Sequence, residues 1–441
     1  MKVESSLCEK PERHAPRRLS DYLVLEGQMQ KVHSLVDKVY SRKNLKLAWE
    51  RVRANQGASG ADGVSIEAFA DNLEENLERL HQELRAGTYQ PQAVRRLEIP
   101  KRGAPGKTRP LGIPSVYDRV CQQALVNRLE PIFEKVFDPS SFGYRKGRKT
   151  ADALTKIWRE VEAGNEWIVD ADLKDYFGSV DHDKLMTLVG KQVADGRVLD
   201  LIQQMLKAGY EEKGQKFATP RGTPQGGVVS PLLSNILLTP FDKEMRRQGY
   251  QLTRWADDWV VTCRTRVEAE HVLARAVKIL DQLGVTLNRE KTRIVHITHG
   301  FEFLGFKIQR GKGRFKLPHA RIKSKLNRQN LYAIPTQKSV DRFKDQIRAC
   351  TQRRVPLRMG ELIKTINPII RGWGNYYCRS RVRKRFAQLD RWVIRRLWSH
   401  RTKRWRNSGW KEYPTKRLRV EFKLVSLIAL IPSLQTAKAH S

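Results

Sequence analysis

Two adjacent aspartates, Asp257 and Asp258, lie within residues 252–261, a stretch whose other members favour β-strands. The pattern predicts a β-hairpin that carries two carboxylates on its turn. Because neighbouring negative charges repel each other, such a pair is most useful where a divalent cation neutralises it. A solvated Asp-Asp turn without a metal is the alternative that the dipeptide alone leaves open.

A second acidic segment precedes the hairpin, with Asp170 and Asp172 at alternate positions of residues 167–173. Side chains two positions apart in a strand point to the same face, and Asp172 lies where the chain turns towards a helix. Pairing this strand with the hairpin would bring Asp172 beside Asp257 and Asp258. Three carboxylates on one sheet can hold two Mg²⁺ ions about 3.5–4 Å apart, an arrangement that catalyses phosphoryl transfer.

The elements that must position these residues alternate between helices and short strands. Apolar residues recurring every three to four positions predict helices at residues 23–50, 66–86, 116–137, 184–207, 231–249 and 267–283. Short apolar or alternating runs predict strands at residues 95–99, 108–113, 167–173, 293–297 and 303–309. The glycine-rich residues 55–63 predict a loop. This pattern indicates an α+β fold up to about Pro335.

Beyond Pro335 the chain becomes helical and basic, with helices predicted around residues 340–349, 359–370 and 382–405. Large aromatic residues are interleaved with its Arg and Lys residues: Trp373, Tyr376, Tyr377, Trp392, Trp398 and Trp405. Such a mixture suits a nucleic-acid surface, where charges contact phosphates and rings stack on bases. The alternative is a helical bundle whose aromatic residues form the core and whose arginines face the solvent.

The net charge indicates the same class of partner. The 84 Lys and Arg residues exceed the 47 Asp and Glu residues, which gives a net charge of +37. A field this positive attracts polyanions, so nucleic acid is the leading partner, although a ribosomal-type structural protein would share the signature. The longest apolar stretch, residues 424–434, is roughly half a bilayer span and predicts no membrane helix. The N-terminus lacks the apolar core of an export signal, so a cytoplasmic location is expected.

The chain resembles the group II intron-encoded reverse transcriptases/maturases through motifs that follow one another from about Asn44 to Ser380. The matching motifs are residues 57–63, 99–101 with 108–114, 141–145, 170–177, 222–227, the Asp-Asp hairpin, 287–292, 303–306 and 372–377. One departure is Trp255, where the family usually has Tyr; the exchange should preserve packing under the primer end. The resemblance implies an α+β right-hand polymerase, with fingers and a palm built on an antiparallel sheet, followed by an α-helical thumb or maturase domain.

The resemblance also implies how the acidic residues are used. Asp172, Asp257 and Asp258 would be the catalytic carboxylates that hold two Mg²⁺ ions. The backbone carbonyl of Leu173 would lie beside one of the metals.

Five further residues match positions that handle the incoming dNTP. Lys101 and Arg109 would hold its triphosphate, with generic binding to a phosphate backbone as their alternative role. Phe177 would be the steric gate that excludes a ribose 2′-hydroxyl, or else a core residue. Gln225 would rest against the nucleotide and the template. Lys291 would protonate the departing pyrophosphate, or else be a solvated lysine at a helix end.

The resemblance divides the chain into an N-terminal extension (1–40), fingers and palm (41–330), a thumb or maturase domain (331–400) and a basic tail (401–441). The thumb would bind intron RNA, target DNA and the primer–template duplex. The residues expected to make these contacts are Arg371, Tyr376, Tyr377, Arg379, Arg383 and Arg395. Many intron proteins add a zinc-stabilised His-Asn-His endonuclease. The five cysteines here are scattered with no Cys-x-x-Cys pair, so we expect neither that endonuclease nor a disulfide framework.

These implications together predict an RNA-directed DNA polymerase that is also a maturase. It would bind its group II intron RNA, assist splicing and copy the intron into DNA during retrohoming, with a primer supplied from elsewhere. The alternatives are a defence-associated or retron-like reverse transcriptase and a splicing-only RNA-binding maturase. The continuous match through the thumb opposes a retron, and the intact carboxylate triad opposes a splicing-only protein.

Overall fold

The computed structural model describes residues 31–100, 106, 108–311, 331–352, 354–402 and 409–432. The chain divides into two compact units, Met1–Val295 and His296–Ser441. Most of the predicted N-terminal extension and the predicted triphosphate ligand Lys101 lie outside the described residues.

Helices and strands of the first unit follow the predicted alternation. Its helices are α1 (Val36–Tyr40), α2 (Arg42–Ala54), α3 (Ile66–Asp71), α4 (Leu73–Ala86), α5 (Val116–Glu134), α6 (Thr150–Glu162), α7 (Tyr176–Ser179), α8 (His182–Gly190), α9 (Gly196–Lys207), α10 (Ser230–Arg247) and α11 (Arg266–Leu283). Its strands are β1 (Val94–Pro100), β2 (Thr108–Ile113), β3 (Trp167–Asp172), β4 (Tyr210–Glu212), β5 (Gln215–Phe217), β6 (Gln251–Trp255), β7 (Asp258–Cys263) and β8 (Arg293–His296), which ends at the boundary between the units.

Capping side chains explain why the single helix predicted at 184–207 is two helices. The Asp181 carboxylate caps the start of α8, and the Asp195 carboxylate caps the start of α9 by accepting from the Val198 N–H. Asp195 also accepts a hydrogen bond of 2.6 Å from the backbone N–H of Leu35. A carboxylate that satisfies the free N–H groups of a helix start favours a new helix at that point.

One sheet of the first unit carries the acidic residues, with strand order β6-β7-β3-β8. Strand β7 pairs antiparallel with both β6 and β3. Val169 and Ala171 of β3 belong to the hydrophobic core, so alternation along the strand directs Asp170 and Asp172 to the opposite face. The sheet is therefore anchored through one face, and its acidic residues lie on the other.

A second sheet of the same unit has strand order β2-β1-β4-β5. Strands β1 and β2, predicted as two short strands, form an antiparallel hairpin in which Ile99 lies opposite Arg109. Strand β4 pairs with β1 in parallel, a long-range contact that local patterning does not predict. The fold of the unit is mixed α and β with antiparallel strand pairs, as expected.

The second unit combines a small sheet with helices. Its strands are β9 (Phe301–Phe303), β10 (Phe306–Arg310) and β11 (Leu331–Pro335), in the order β11-β10-β9, and its helices are α12 (Gln337–Cys350), α13 (Met359–Tyr377), α14 (Arg383–Thr402), α15 (Thr415–Val420) and a 3₁₀ turn at Ile428–Leu430. The single strand predicted at 303–309 is wrong, because Leu304 and Gly305 both have left-handed backbones, φ +49° and +77°, and turn the chain into an antiparallel pair.

Among the described residues, no helix has both the length and the apolarity needed to cross a membrane. Cys121, Cys263, Cys350 and Cys378 are free thiols, the first two of them buried.

Candidate active site

The acidic hairpin has a shorter turn than the sequence predicts. Strand β6 ends at Trp255 and β7 begins at Asp258, so the turn itself consists of Ala256 and Asp257. Ala256 has φ +58°, the left-handed conformation that favoured two-residue hairpins need at their first position. The expectation of two carboxylates on the turn is therefore corrected: Asp257 is a turn residue, and Asp258 is held in the strand ladder.

The register of the sheet brings the predicted carboxylates together. Asp172, the last residue of β3, lies directly opposite Asp258, the first residue of β7. The Asp172 carbonyl accepts a hydrogen bond of 2.9 Å from the N–H of Asn288, which ties the end of β3 to the segment before β8. Asp172, Asp257 and Asp258 thus share one end of the sheet, as the alternation of Asp170 and Asp172 predicts.

Electrostatics at this end of the sheet disfavour three negative charges. Partial desolvation, and then the charges of Asp257, Asp172 and Asp170, raise the pKa of Asp258 to about 7. Desolvation and the charge of Asp172 also raise the pKa of Asp257. Neighbouring carboxylates repel one another when they are ionised, so a cation that they share stabilises the ionised forms.

One lysine and one arginine side chain form hydrogen bonds with two of the acidic residues. The Lys291 ammonium donates to the Asp172 carboxylate, and Arg293 donates to Asp170 at 2.8 Å. Partial burial lowers the pKa of Lys291, but the hydrogen bond to Asp172 and the nearby carboxylates outweigh it, so the pKa is raised. Lys291 lies in a turn before β8 rather than at a helix end.

The chemistry of the donor set fits magnesium, which prefers carboxylate oxygens and keeps several water ligands. Asp172, Asp257 and Asp258 are the residues that would hold it. Across the described ranges, no three His, Cys, Asp or Glu side chains converge closely enough to hold a metal ion as they stand. The Asp172 carboxylate is instead paired with the Lys291 ammonium, so a cation at the site competes with Lys291 for that carboxylate.

A buried arginine, Arg254, supports the turn of the acidic hairpin, and the sequence patterns did not predict this role. The Arg254 side chain is fully buried, and its guanidinium forms two hydrogen bonds with Asp242, at 2.6 and 2.5 Å. The same guanidinium donates to the carbonyl of Ala256 at 2.9 Å, to Asn235 at 3.0 Å and to Ser141 at 2.8 Å. Arg254 thereby holds the backbone next to Asp257. An arginine between strand-forming residues, directly before Trp255 and the two aspartates, is the sequence signal that could have revealed it.

The motif at residues 141–145 contacts the acidic hairpin and connects it to the rest of the first unit. Phe142 donates to the Arg254 carbonyl at 2.9 Å. A side chain on Gly143 would place a Cβ atom 2.4 Å from the Ala256 nitrogen, so only glycine allows this close approach. Tyr144 has φ +57° and is 51% exposed; burial and then the charge of Asp257 raise the pKa of its phenol.

Three of the predicted nucleotide-binding residues, Arg109, Phe177 and Gln225, occupy three segments that are joined by hydrogen bonds. Arg109 lies exposed on β2, and the carbonyl of Gln225 accepts a hydrogen bond of 2.8 Å from Gly112 of the same strand. Phe177 is partly buried against the hydrophobic core, and its carbonyl accepts from the N–H of Thr223 at 2.8 Å. The turn that carries Gln225 therefore links the Arg109 strand to the Phe177 helix α7.

Two protein-family models match most of the residues of both units. The model of the reverse transcriptase (RNA-dependent DNA polymerase) family matches residues 99–308, and the model of the group II intron maturase-specific domain matches residues 340–418. The chain belongs to the group II intron-encoded reverse transcriptases. This confirms the family that the sequence motifs predicted, and with it a reverse transcriptase region followed by a maturase region.

Individual relatives of this reverse transcriptase include intron-encoded proteins. It is 29% identical over 440 residues to the group II intron-encoded protein LtrA of Lactococcus lactis subsp. cremoris, an alignment that covers 80% of this chain and 73% of LtrA. It is 34% identical over 295 residues to protein YkfC of Escherichia coli, covering 58% of this chain and 77% of YkfC. A protein in the cob intron of Schizosaccharomyces pombe is 28% identical over 443 residues, covering 81% of this chain and 52% of that protein.

Within the maturase region of this reverse transcriptase, the predicted nucleic-acid contacts differ in exposure. Arg371, Arg379, Arg383 and Arg395 are exposed. Tyr376 is 45% exposed, and its hydroxyl donates to the carbonyl of Leu304 at 2.8 Å. Tyr377 is 3% exposed, donates to Ser339 at 2.8 Å and packs its ring 4.8 Å from Trp373. Burial gives Tyr377 a packing role, the alternative that the sequence left open for the aromatic residues of this region.

Proposed function

We propose that this reverse transcriptase polymerises DNA on an RNA template at the end of the β6-β7-β3 sheet. The pairing of Asp172 with Asp258, within the region matched by the reverse transcriptase family, carries the proposal. The raised pKa values of Asp257 and Asp258 support it, because a cluster of carboxylates that repel one another is stabilised by divalent cations.

Asp172, Asp257 and Asp258, with the Leu173 carbonyl, would hold two Mg²⁺ ions. When bound, Mg²⁺ supplies positive charge that stabilises the attacking and leaving oxygens of nucleotidyl transfer. Arg109 and Lys101 would bind the triphosphate of the incoming dNTP, since a guanidinium matches phosphate oxygens in charge and geometry.

Lys291 would act on the leaving group. Its ammonium lies against Asp172 and its raised pKa keeps it protonated at neutral pH, so it has a proton to give to pyrophosphate. Phe177 would limit the space beside the sugar, and Gln225 would position the base through the turn that is bonded to β2.

The same proposal extends to the domains and to the nucleic-acid partners. Residues 41–330 would be the fingers and palm of a right-hand polymerase, 331–400 the thumb and 401–441 a basic tail, after an extension at 1–40. The protein would bind group II intron RNA, assist its splicing and copy it into target DNA during retrohoming. The net charge of +37 and the matched maturase-specific domain support these partners.

Primer extension on poly(rA)/oligo(dT) with Mg²⁺ tests the polymerase assignment. Asp257→Asn should abolish extension, because it removes a metal-binding charge, and should leave RNA affinity unchanged. Asp71→Asn, the same exchange at an exposed residue of α3, is the matched control and should extend normally. Retained extension by Asp257→Asn would overturn the triad, and a wild-type protein without extension would favour the splicing-only alternative.

A further inference from the structure

A cavity of about 490 Å³ opens on the second unit, between one face of α13 and the segment that follows α15. Its wall on α13 is formed by Gly360, Lys364, Asn367, Pro368 and Arg371, and its other wall by Glu421, Phe422 and Lys423. The α13 residues recur every three to four positions, so they lie on one face of that helix. The volume falls within the range of small-molecule sites, about 300–1,000 Å³.

The charges around the cavity are unbalanced. The Glu421 carboxylate accepts a hydrogen bond of 2.8 Å from the Arg417 guanidinium. Because Arg417 does not line the cavity, a group outside the cavity already neutralises this carboxylate. Lys364, Arg371 and Lys423 form no ion pair within the described part of the chain, and all three are exposed. Three cations around one concave site attract an anion such as a phosphate group.

Phe422 supplies a planar apolar wall. The ring packs against Tyr413, with ring centroids 6.0 Å apart, and against the Arg417 guanidinium, 5.8 Å from the ring centroid. A Cβ atom on Gly360 would lie 3.6 Å from the nearest ring carbon, so the absence of a side chain there leaves space beside Phe422. Pro368 has no N–H to donate, which leaves the Lys364 carbonyl on this helix face without its helical donor.

The second wall is held in place by a specific contact. The buried side chain of Asn367 donates to the Lys423 carbonyl at 3.0 Å and accepts from the Val425 N–H at 3.0 Å. Lys423 has φ +56°, a left-handed conformation that is unfavourable for a residue with a side chain. Strain of this kind persists where the surroundings impose it, and it is concentrated at functional sites.

We propose that this cavity binds a single unpaired nucleotide of RNA, its base against Phe422 and its phosphate between Lys364, Arg371 and Lys423. The combination of an aromatic face with uncompensated cations is how proteins bind single-stranded nucleic acid. The inference rests on the proposed function for the choice of RNA as ligand. Residues 421–423 lie beyond the region that the maturase-specific domain matches, 340–418.

Binding of fluorescein-labelled oligo(rU) and of a paired RNA duplex tests this proposal. Lys364→Glu should weaken oligo(rU) binding far more than Lys338→Glu, an equal change of charge at an exposed residue of α12 outside the cavity. Phe422→Leu should weaken oligo(rU) binding about 5- to 160-fold, the equivalent of the ~1–3 kcal/mol that one stacked base contributes, and should affect the duplex much less. Equal losses for Lys364→Glu and Lys338→Glu, or equal losses for both RNAs, would overturn the nucleotide site.

A crosslink readout keeps the test decisive if Phe422→Leu unfolds the unit. Oligo(rU) containing 4-thiouridine should crosslink wild-type protein at residues 360–371 or 421–423, and crosslinks confined to other segments would contradict the proposal. Asp257→Asn separates the two proposals, because it should stop primer extension without changing either oligo(rU) binding or the crosslinks.

Discussion

At the scale of single residues, the pKa of Asp258 would link pH to the proposed metal binding. This pKa is raised to about 7, so the proton that stabilises the folded apo-protein at low pH is lost as the pH rises through 7. Above that pH the bare carboxylate costs folding free energy, and a bound cation offsets the cost.

The increase in melting temperature caused by Mg²⁺ should therefore grow between pH 5.5 and pH 8 in the wild-type protein. Asp258→Asn has no group to deprotonate there and should show a small increase that is independent of pH. Asp71→Asn should behave as wild type. Thermal melting with and without Mg²⁺ measures the effect; an equal increase at both pH values in the wild type would refute the link.

Arg254 is the second residue whose role can be tested, because its guanidinium holds the Ala256 carbonyl beside Asp257. Arg254→Lys retains the positive charge next to Asp242 but loses the planar fork that reaches several acceptors at once. Groups that orient metal ligands typically contribute 10–100-fold to metal affinity. The variant should therefore need about 10–100-fold more Mg²⁺ for half-maximal primer extension.

The matched control for Arg254 is Arg197→Lys. Arg197 also donates to backbone carbonyls, those of Leu84 at 2.6 Å and Arg85 at 2.8 Å, but it belongs to α9, away from the acidic hairpin. The Arg197→Lys variant should be less stable than the wild-type protein, but its Mg²⁺ requirement should be unchanged. If both variants shift the Mg²⁺ requirement equally, Arg254 acts only through general stability.

At the scale of elements, the turn at residues 222–227 depends on close contact with strand β2. Gly226 has φ +119°, and a Cβ atom there would lie 2.4 Å from the carbonyl oxygen of Gly112. Neither the conformation nor the space admits a side chain. The contact places the turn that carries Gln225 beside the strand that carries Arg109.

Gly226→Ala should lower the free energy of unfolding by about 2–4 kcal/mol, from backbone strain and steric overlap together, and should raise KM for dNTPs. Gly214→Ala shares the positive φ, +80°, but would meet no atom within 4 Å, so it should cost only about 1 kcal/mol. Denaturant unfolding and dNTP titrations measure the two effects. Equal losses in both variants would show that the contact with Gly112 is unimportant.

At the scale of the whole molecule, the net charge of +37 governs association with nucleic acid. Contact with about 6–10 phosphates would make a fourfold rise in salt weaken RNA binding by about 10³–10⁵-fold. Asp257→Asn should show the same slope, because it leaves every Lys and Arg residue that could contact a phosphate in place. Filter binding across a salt series measures the slope, and an affinity insensitive to salt would contradict a backbone-tracking surface.

Local patterns in the sequence were sufficient for the acidic strand, the hairpin and the family. Alternation places Asp170 and Asp172 on one face of β3 whatever packs around the strand, because side chains in a strand repeat every two residues. Strands β1 and β2 were also predicted, as two short strands at residues 95–99 and 108–113. The helix boundary at Asp195 was missed, because the apolar spacing continues across a carboxylate that serves both a helix start and the backbone of Leu35.

Tertiary structure alone decided which distant residues meet. The partners of Arg254 come from residues 141, 235 and 242, and the cavity on the second unit joins α13 to residues 421–423. No local periodicity encodes such pairings, since they depend on how elements pack after they form. The burial of Tyr377 and the pairing of Lys291 with Asp172 were decided in the same way, because burial and ion pairing are properties of the packed chain.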